Sequence, residues 1–121
     1  VHDGVRPLVS RTLIRRTFEV AEETGAALPA CPVTDRLRLL GEDGDSEAVD
    51  RARYRAVQTP QTFDLERLHR AYEQPFSPQF TDDASVYEAA GLGAITLVEG
   101  EETNIKLTTP RDLLLADLLL D

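Results

Sequence analysis

Four polar clusters in the sequence carry residue types that could do chemistry. They are the segments 2–7, 59–62, 81–85 and 104–106, which read His-Asp-Gly-Val-Arg-Pro, Thr-Pro-Gln-Thr, Thr-Asp-Asp-Ala-Ser and Asn-Ile-Lys. Together they supply carboxylates, hydroxyls, a guanidinium group and one ammonium group. Cations of this kind bind phosphate, while carboxylates and hydroxyls bind the hydroxyl groups of a sugar alcohol. The clusters therefore indicate a site for a phosphorylated polyol.

Several of these residues also have a structural interpretation, and the sequence alone leaves both open. Asp3 is of a type that forms turns after strands, and a histidine such as His2 more often packs or faces solvent than binds a ligand. Thr81 could cap a helix. For Asp82 and Asp83 we favour the structural role, as first-turn acids that the helix dipole stabilises.

Lys106 stands out because it is the only lysine in a chain with twelve arginines. It could be a solvated charge at a strand edge, or it could occupy a site that needs a compact ammonium group rather than a guanidinium group. Other chemistries are disfavoured. No His, Cys and carboxylate set has the spacing of a zinc site, and Ser10, Ser46, Ser77 and Ser85 lack the context of a hydrolase nucleophile.

The hydrophobic pattern predicts the elements that must position these clusters. A helix begins after Ser10, a good N-cap, and ends at Gly25, and a buried strand follows over 26–33. Residues 34–55 alternate about a charged Gly-rich turn, which predicts a protruding β-hairpin arm, with a disordered surface loop as the alternative. The other predicted elements are helices over 64–73, from the cap at 81–83 to Gly91, and over 111–120, and strands over 94–98 and 104–108.

The order of these elements predicts the fold class. Strands that alternate with helices are typical of an α/β sandwich with a largely parallel sheet. Ligands of such sheets bind at the carboxyl ends of strands, where the clusters at 2–7, 59–62 and 81–85 are expected to fall. The last helix is apolar on much of its circumference, so we expect it to lie against the sheet.

The composition bounds the class of protein. The 121 residues make one domain, and 13 Lys plus Arg against 22 Asp plus Glu give a formal charge of −9. This acidity disfavours binding to nucleic acid, whose phosphates need a basic surface. No stretch approaches the roughly 18 uninterrupted apolar residues of a membrane span. The lone Cys31 cannot form an internal disulfide, so we expect a reducing compartment, the cytoplasm.

Four segments together resemble the 2-C-methyl-D-erythritol 4-phosphate cytidylyltransferase family of the non-mevalonate isoprenoid pathway. They stand in the order and spacing of that family and span nearly the whole chain. One departure is mild, because Gly4 and Val5 occupy positions where the family more often has two alanines. The segments are VHDGVRP from residue 1, VDRARYRAVQTPQTF at 49–63, TDDASVYEAAG at 81–91 and LVEGEETNIKLTTPRDLLLA at 97–116.

The resemblance implies a Rossmann-like nucleotidyltransferase sandwich whose N-terminal part is missing from this chain. The family begins with a glycine-rich AAGxGxR segment followed by a lysine, and together they cradle the triphosphate of CTP. This sequence contains no such segment. Residues 1–121 are therefore interpreted as the C-terminal part of a single cytidylyltransferase domain. The absence of methionine, and an opening at Val1 that reads as the end of a strand, agree with this interpretation.

The resemblance also implies a reaction and the residues that perform it. The family transfers a cytidylyl group from CTP to 2-C-methyl-D-erythritol 4-phosphate, with Mg²⁺, and releases pyrophosphate. By motif, Arg51 and Lys106 would be the catalytic residues that hold the substrate phosphate for attack. The implied substrate-binding residues are Asp3, Arg6, Thr59 and Thr81.

A homodimer is a further implication of the resemblance. In the family the arm, here residues 34–55, crosses to a second subunit, so that Arg51 would serve the neighbour's site. Two rival functions are kept: a ribitol-5-phosphate cytidylyltransferase with the same fold and chemistry, and an inactive dimerising fragment that lacks the CTP loop. The Thr-Asp-Asp-Ala-Ser run and the arginine of Val-Asp-Arg favour the methylerythritol enzyme over the ribitol enzyme.

Overall fold

The structure, a computed structural model, describes residues 1–120 and has an α/β architecture. The helices are α1 (Arg11–Thr24), α2 (Leu65–Ala71), α3 (Asp83–Ala89) and α4 (Pro110–Leu119). The strands are β1 (Ala26–Pro32), β2 (Arg38–Leu40), β3 (Ser46–Ala48), β4 (Arg55–Val57), β5 (Thr62–Phe63) and β6 (Thr96–Glu99), and one 3₁₀ turn covers Arg51–Arg53. Within residues 1–120, none of the helices has the length and apolar character that crossing a membrane requires.

Helix α1 is an amphipathic helix that packs on β1, and both of its predicted ends are confirmed. It begins after Ser10, whose hydroxyl accepts a hydrogen bond from the backbone N–H of Leu13 at 3.0 Å. It ends at Gly25, whose φ of 95° lies in the left-handed region that glycine adopts without strain. The buried core cluster consists of Leu13, Ala21, Ala27 and Val98.

Strand β1 is the centre of a mixed sheet, because its residues pair on both edges. Ala27 lies opposite Thr96 of β6 in a parallel ladder and opposite Thr62 of β5 in an antiparallel ladder. Strand β4 pairs antiparallel with the same edge of β1 as β5. The α/β class is confirmed, and the longest ladder, between β1 and β6, is parallel. The antiparallel pairs depart from a largely parallel sheet because the arm returns the chain directly to β1, without a crossover helix.

The edge strand formed by β4 and β5 is interrupted at residues 58–61. Ala30 of β1 faces Val57, whereas Ala27 faces Thr62, so three steps along β1 match five steps along the edge. All four residues of the interruption are buried, and a cis peptide bond joins Thr59 to Pro60. Residues 58–61 therefore leave the regular ladder with β1, and three of the four line the cavity described below.

The predicted hairpin arm at 34–55 is confirmed. Strands β2 and β3 pair antiparallel, with Leu40 opposite Ser46, about a turn in which Gly44 has a φ of 89°. The Arg38 guanidinium donates to the hydroxyl and carbonyl oxygens of Ser46 at 2.8 and 3.0 Å. Leu39 and Leu40 are exposed, at 54% and 73% of their surface. The arm therefore stands out from the body of the chain and carries apolar side chains into solvent.

Helices α2 and α3 pack against each other beyond β5. Asp64 caps α2, and Asp82 caps α3 by accepting a hydrogen bond from the backbone N–H of Ser85 at 2.8 Å. Tyr87 of α3 is fully buried, and its ring centroid lies 5.2 Å from that of Phe63. Asp82 therefore has a structural role, as favoured, but as the N-cap of α3 in place of Thr81, whereas Asp83 is the predicted first-turn acid.

The strand predicted over 104–108 is wrong for the described chain, where these residues are an extended connection. Their backbone groups bond to loops and side chains instead of to a neighbouring strand. The N–H of Leu107 donates to the carbonyl of Val5 at 2.8 Å, and the carbonyl of Asn104 accepts from the Arg6 guanidinium at 2.7 Å. Because these backbone groups are already bonded, the segment does not pair with a strand. The same bonds fix it beside the first residues of the chain.

Helix α4 begins as predicted but does not lie against the sheet. Thr109 is its N-cap and forms a capping box with Asp112, and Pro110 opens the helix. The prediction that its apolar surface packs on a sheet is wrong within residues 1–120, because no described strand packs extensively against it. Its exposed leucines are Leu113, Leu114, Leu115, Leu118 and Leu119.

Candidate active site

A cavity of about 720 Å³ opens beside the interruption of the edge strand. Five of the six predicted site residues line this cavity. They come from four separate segments of the chain, which the fold brings together. The five residues are Asp3, Arg6, Thr59, Thr81 and Lys106.

Asp3 and Arg6 form one corner of the cavity. The backbone N–H of Arg6 donates to the carbonyl of Asp3 at 3.1 Å, which closes a tight turn. The Arg6 guanidinium, 13% exposed, then donates through Nε to Oδ2 of Asp3 at 3.1 Å. Its NH1 group donates to the carbonyl of Asn104. Arg6 therefore orients the Asp3 carboxylate, which remains 36% exposed and can accept a further hydrogen bond from a ligand.

The Thr59 hydroxyl lies at the centre of a short hydrogen-bond chain. It accepts from the backbone N–H of Asp3 at 2.9 Å and lies 2.8 Å from Nδ1 of His2. Nε2 of His2 lies 3.0 Å from the carbonyl of Arg6, which can only accept. For the neutral imidazole, this pattern places the ring proton on Nε2 and makes the Thr59 hydroxyl the donor to Nδ1. His2 is thus part of the support of the site rather than a free surface residue.

Lys106 supplies an exposed cation to the cavity. Among the described residues, the ion pair of Arg6 with Asp3 is the only one, so the Lys106 ammonium has no carboxylate partner there. The segment around it is nevertheless fixed, because the backbone of Asn104 and Leu107 bonds to the segment at 5–6. An unpaired ammonium on a fixed backbone is suited to binding phosphate as a point charge.

The cavity wall also includes residues of the interruption, of α2 and α3, and of the loop between these helices. Thr81 is exposed just before the Asp82 N-cap, and the Gln61 amide donates weakly to Asp82 at 3.4 Å. The Tyr72 hydroxyl donates to the Asp83 carboxylate. This hydrogen bond is the main reason that the pKa of Tyr72 is raised to about 12, since the bond favours the protonated phenol. Asp82 and Asp83 are thus engaged within the wall.

Apolar side chains complete the cavity next to these polar groups. Phe76 lies in the loop between α2 and α3 and is 83% exposed, and its ring meets that of Phe80 edge-on at a centroid distance of 6.4 Å. Val57 and Val86 also line the cavity. The cavity therefore offers both polar and apolar groups, which suits a ligand that carries hydroxyl groups on a hydrocarbon skeleton.

Arg51 is the one predicted site residue that does not line this cavity. It lies at the base of the arm, in a separate cleft of about 400 Å³ that it shares with Arg36 and Arg38. Its guanidinium donates to the carbonyl of Thr34 at 2.5 Å. Within one chain the two predicted catalytic cations therefore lie on different surfaces, and their joint action across a dimer stays a prediction.

Three buried amide side chains at the site were given no role from the sequence, although Gln61 and Asn104 lie inside two of the polar clusters. Gln58 is 9% exposed, Gln61 is 5% exposed and Asn104 is fully buried. Each stands within two residues of a predicted site residue, Thr59 or Lys106. The sequence signal that could have identified them is a Gln or Asn close to a predicted ligand residue. Such an amide, when buried, must find several hydrogen-bond partners and so fixes the segment around it.

The site residues were also tested for a metal centre. Within residues 1–120, no group of three or more His, Cys, Asp or Glu side chains could hold a metal ion. The carboxylates at the cavity already have partners, since Asp3 pairs with Arg6, Asp82 caps α3 and Asp83 accepts from Tyr72. The arrangement instead suits a small polyhydroxylated anion, bound by an ammonium group, a carboxylate and hydroxyls.

Comparison with solved structures confirms the predicted fold. A crystal structure of 2-C-methyl-D-erythritol 4-phosphate cytidylyltransferase from Thermus thermophilus matches with a TM-score of 0.83 and 40% identity, over 98% of this chain and 59% of that chain. A 4-diphosphocytidyl-2C-methyl-D-erythritol synthase from Anaerococcus prevotii matches with a TM-score of 0.86 and 30% identity, over 98% of this chain and 56% of that chain. The chain therefore has the Rossmann-like nucleotidyltransferase fold of these proteins.

Sequence comparison gives the same family. A 2-C-methyl-D-erythritol 4-phosphate cytidylyltransferase from Porphyromonas gingivalis is 55% identical over 120 residues, which are 99% of this chain and 54% of the relative. The chain thus spans about half the length of the curated relatives it matches, and its placement as their C-terminal part stays a prediction. The family profile described as 2-C-methyl-D-erythritol 4-phosphate cytidylyltransferase matches residues 1–121. The chain belongs to the 2-C-methyl-D-erythritol 4-phosphate cytidylyltransferase family.

Proposed function

We propose that this chain supplies the polyol-phosphate part of an active site that converts CTP and 2-C-methyl-D-erythritol 4-phosphate to 4-diphosphocytidyl-2-C-methyl-D-erythritol and pyrophosphate, in isoprenoid precursor synthesis. The observation that carries the proposal is the convergence of Asp3, Thr59, Thr81 and Lys106 on one cavity. In the reaction, an oxygen of the substrate phosphate attacks the α-phosphorus of CTP. A new P–O bond forms there, and the bond between the α-phosphorus and the pyrophosphate leaving group breaks.

Electrostatics explains why this reaction needs the cations. Two unit charges about 4 Å apart repel by about 4 kcal/mol at an effective dielectric constant near 20. An anionic phosphate that approaches an anionic triphosphate meets this repulsion, and a chain of formal charge −9 adds to it. We therefore assign to Lys106 and Arg51 the role of holding and neutralising the attacking phosphate, since positioning and charge neutralisation dominate such transfers.

The polar groups of the cavity are assigned to the polyol. Asp3 accepts a hydrogen bond from a substrate hydroxyl, in an orientation that Arg6 sets through its bond to Oδ2. Thr59 accepts from a second hydroxyl, because its own proton points to His2. Thr81, exposed at the cavity just before α3, adds a further contact.

The arm is proposed to complete the site across a homodimer. Residues 34–55 carry exposed Leu39 and Leu40 and bring Arg51 away from the cavity of their own chain, which is the placement that a contribution to a neighbour's site requires. The triphosphate of CTP is proposed to bind to residues outside this chain, with Mg²⁺ held by the phosphates rather than by the cavity carboxylates. We place the reaction in the cytoplasm, as the lone Cys31 predicts.

The test is a chimera in which this chain replaces the 120 matching residues of the Porphyromonas gingivalis relative. Pyrophosphate release is measured with CTP and either 2-C-methyl-D-erythritol 4-phosphate or ribitol 5-phosphate. We expect turnover with the methylerythritol substrate, and a loss of at least about a hundredfold in kcat/KM for Lys106→Ala. Arg111→Ala is the matched control, because it removes an exposed cation outside the cavity and should leave the kinetics unchanged.

The other outcomes overturn the proposal in different ways. A preference for ribitol 5-phosphate would identify the sister activity. A folded, dimeric chimera that binds CTP but turns over neither substrate would leave the dimerising fragment as the function. Equal kinetics of the Lys106→Ala variant and the parent would remove Lys106 from the site.

A further inference from the structure

We propose that Gln58 and Asn104 form a buried amide clasp that positions Thr59 and Lys106 relative to each other. The amide clasp is the set of hydrogen bonds that these two side chains make to each other, to Glu101 and to the carbonyl of Thr59. The proposal rests on the proposed function, because it assigns positioning residues to the same site. Gln58 and Asn104 touch other protein groups and act through the two residues that they hold.

The two segments that carry Thr59 and Lys106 lack a shared backbone ladder. Residues 58–61 lie in the interruption of the edge strand, and residues 104–107 form no strand within the described chain. Among the described residues, no backbone–backbone hydrogen bond joins these two segments. The bonds that join them are those of the Gln58 and Asn104 side chains, so the clasp takes the place of the missing ladder.

The Gln58 side chain hydrogen-bonds to the backbone of Glu101 in the way that a neighbouring strand would. Its Nε2 donates to the carbonyl of Glu101 at 2.8 Å, and its Oε1 accepts from the N–H of Glu101 at 3.1 Å. Two bonds to the two backbone groups of one residue fix both the distance and the orientation of the segment. The Gln58 backbone N–H in turn donates to the carbonyl of Pro29 in β1 at 2.8 Å, so the clasp is attached to the centre of the sheet.

Asn104 closes the clasp from the other side. Its Nδ2 donates to the carbonyl of Thr59 at 2.8 Å and to Oε1 of Gln58 at 3.3 Å. Its backbone carbonyl accepts from the Arg6 guanidinium at 2.7 Å, and Arg6 orients Asp3. One fully buried residue thus contacts the Thr59 segment and the Asp3–Arg6 corner, and it stands two residues before Lys106.

The surroundings leave the Gln58 amide little freedom to move. A Cβ atom placed on Gly100 would lie 2.6 Å from Oε1 of Gln58 and 3.0 Å from Sγ of Cys31, so the amide packs directly on the backbone there. Removal of Asn104 takes the donor from the buried carbonyl of Thr59, and removal of Gln58 takes the acceptor from the N–H of Glu101. A displacement of Lys106 or Thr59 of about 1 Å is sufficient to reduce a rate by about a hundredfold.

The kinetic test uses Asn104→Ala, Gln58→Ala and the double variant in the chimera described for the proposed function. We expect each single variant to raise KM for the polyol phosphate by about tenfold to a hundredfold, with KM for CTP unchanged. The double variant should be no worse than the more severe single variant, because the clasp is already open. Gln58→Glu keeps an acceptor for the N–H of Glu101 but turns a carboxylate oxygen toward the Glu101 carbonyl, so it should raise KM at least as much as Gln58→Ala.

Thr17→Val is the matched control for the loss of a buried polar group. Thr17 is fully buried, accepts from the Thr62 hydroxyl at 3.1 Å and lies outside the cavity. It should lower the melting temperature and leave both KM values unchanged. If Asn104→Ala behaves in the same way, or if the effects of the single variants simply add, the clasp is only structural and the proposal is overturned.

Hydrogen exchange separates this proposal from the proposed function and remains informative if the chimera is inactive. In Asn104→Ala, the amides of residues 59–62 and 101–107 should exchange at least about tenfold faster, whereas those of α1 keep their parent rates. Unchanged exchange in these two segments would overturn the clasp whatever the chimera catalyses. An inactive parent chimera with the expected exchange pattern would overturn the proposed function alone. If Asn104→Ala does not fold, Gln58→Glu provides the same two readings.

Discussion

Lys106 and Arg51 are assigned to the same phosphate, yet the chain supports the two cations very differently. The backbone around Lys106 is bonded to residues distant in the sequence, through Arg6, Val5 and the amide clasp. The side-chain hydrogen bonds described for the arm around Arg51 all remain within residues 34–55. The cavity wall, which is the set of residues that line the cavity, is therefore held by hydrogen bonds between distant segments of the chain. The side-chain hydrogen bonds of the arm join only residues of the arm.

This difference shows which part of the site the chain can organise alone. The wall has buried amides and an ion pair that bond to other segments of the same chain, so its geometry follows from the fold of these residues. The arm is exposed along nearly its whole length, and its exposed apolar side chains are a surface that a second molecule could cover. We therefore expect variants in the wall to act within a subunit and variants in the arm to act between subunits.

The largest expected effect is a loss and recovery of turnover that depends on which subunit carries each cation. In the chimera, Arg51→Ala and Lys106→Ala are each expected to lose at least about a hundredfold in turnover. Mixing the two variants should restore about a quarter of the parent rate, because half of randomly paired dimers are mixed and each has one intact site. Activity is measured after co-expression or refolding of the mixture. If mixing restores nothing, Arg51 serves its own subunit and the comparison fails.

The second effect concerns the apolar surface of the arm. The double variant Leu39→Ser/Leu40→Ser should raise the dissociation constant of the proposed dimer by about a hundredfold or more, since each leucine would lose the burial that the proposed interface gives it. Sedimentation velocity over a concentration series measures this constant. Leu114→Ser/Leu118→Ser is the control, because these leucines of α4 are equally exposed, at 68% and 80%, but lie outside the arm. A weaker dimer in the α4 variant alone would move the interface away from the arm.

The third effect tests how tightly the wall is packed. Gly100→Ala should destabilise the chain by about 1–3 kcal/mol, because the added methyl group meets the Gln58 amide and the β1 backbone. Gly4→Ala should change stability by less than about 0.5 kcal/mol, since no atom lies within 4 Å of the new Cβ. Urea unfolding of the two variants and the parent provides the comparison. A Gly100→Ala variant as stable as the parent would show that the wall adjusts as readily as the arm.

The smallest effect is a pH-dependent contribution from Tyr72 at the outer edge of the wall. Its hydrogen bond to Asp83 raises the pKa of Tyr72 from 10.0 to about 12 in the folded state. This stabilisation is therefore complete below pH 10 and is lost as the pH rises toward 12. At pH 8, Tyr72→Phe should lower the free energy of unfolding by about 0.5 kcal/mol, since the pair is half-exposed. By pH 11 the free energies of unfolding of the variant and the parent should lie closer together. A difference that does not change with pH would mean that Tyr72 stabilises the chain by packing and not by its hydrogen bond.

The sequence was informative wherever local pattern decides the structure. The Ser10 cap, the Gly25 end of α1, the hairpin arm and the Thr109 cap all follow from short-range rules, and the structure confirms them. Motif resemblance also selected five residues that line one cavity. These predictions needed no knowledge of long-range pairing.

The predictions that were wrong or missing have a common physical cause. Each concerns contacts between a segment and residues far from it in the sequence. Residues 104–108 alternate like a strand, but their backbone groups bond to Val5 and Arg6 instead. Helix α4 has the composition of a buried helix and is exposed in the described residues. The roles of Gln58 and Asn104 were not visible for the same reason, since a buried amide is identified by its partners, which lie more than 40 residues away.

The occurrence of a single lysine gives the site a chemical handle. Because every other basic side chain that could form salt bridges is an arginine or a histidine, Lys106 is the one ε-amine in the sequence that an acylating reagent can modify. It is exposed, and it lines the cavity. Mass spectrometry after brief acylation would therefore count occupied and empty sites directly, with protection by a sugar-alcohol phosphate as the signal. The scarcity of lysine thus allows peptide mass spectrometry to assign every side-chain amine that is acylated in this sequence to Lys106.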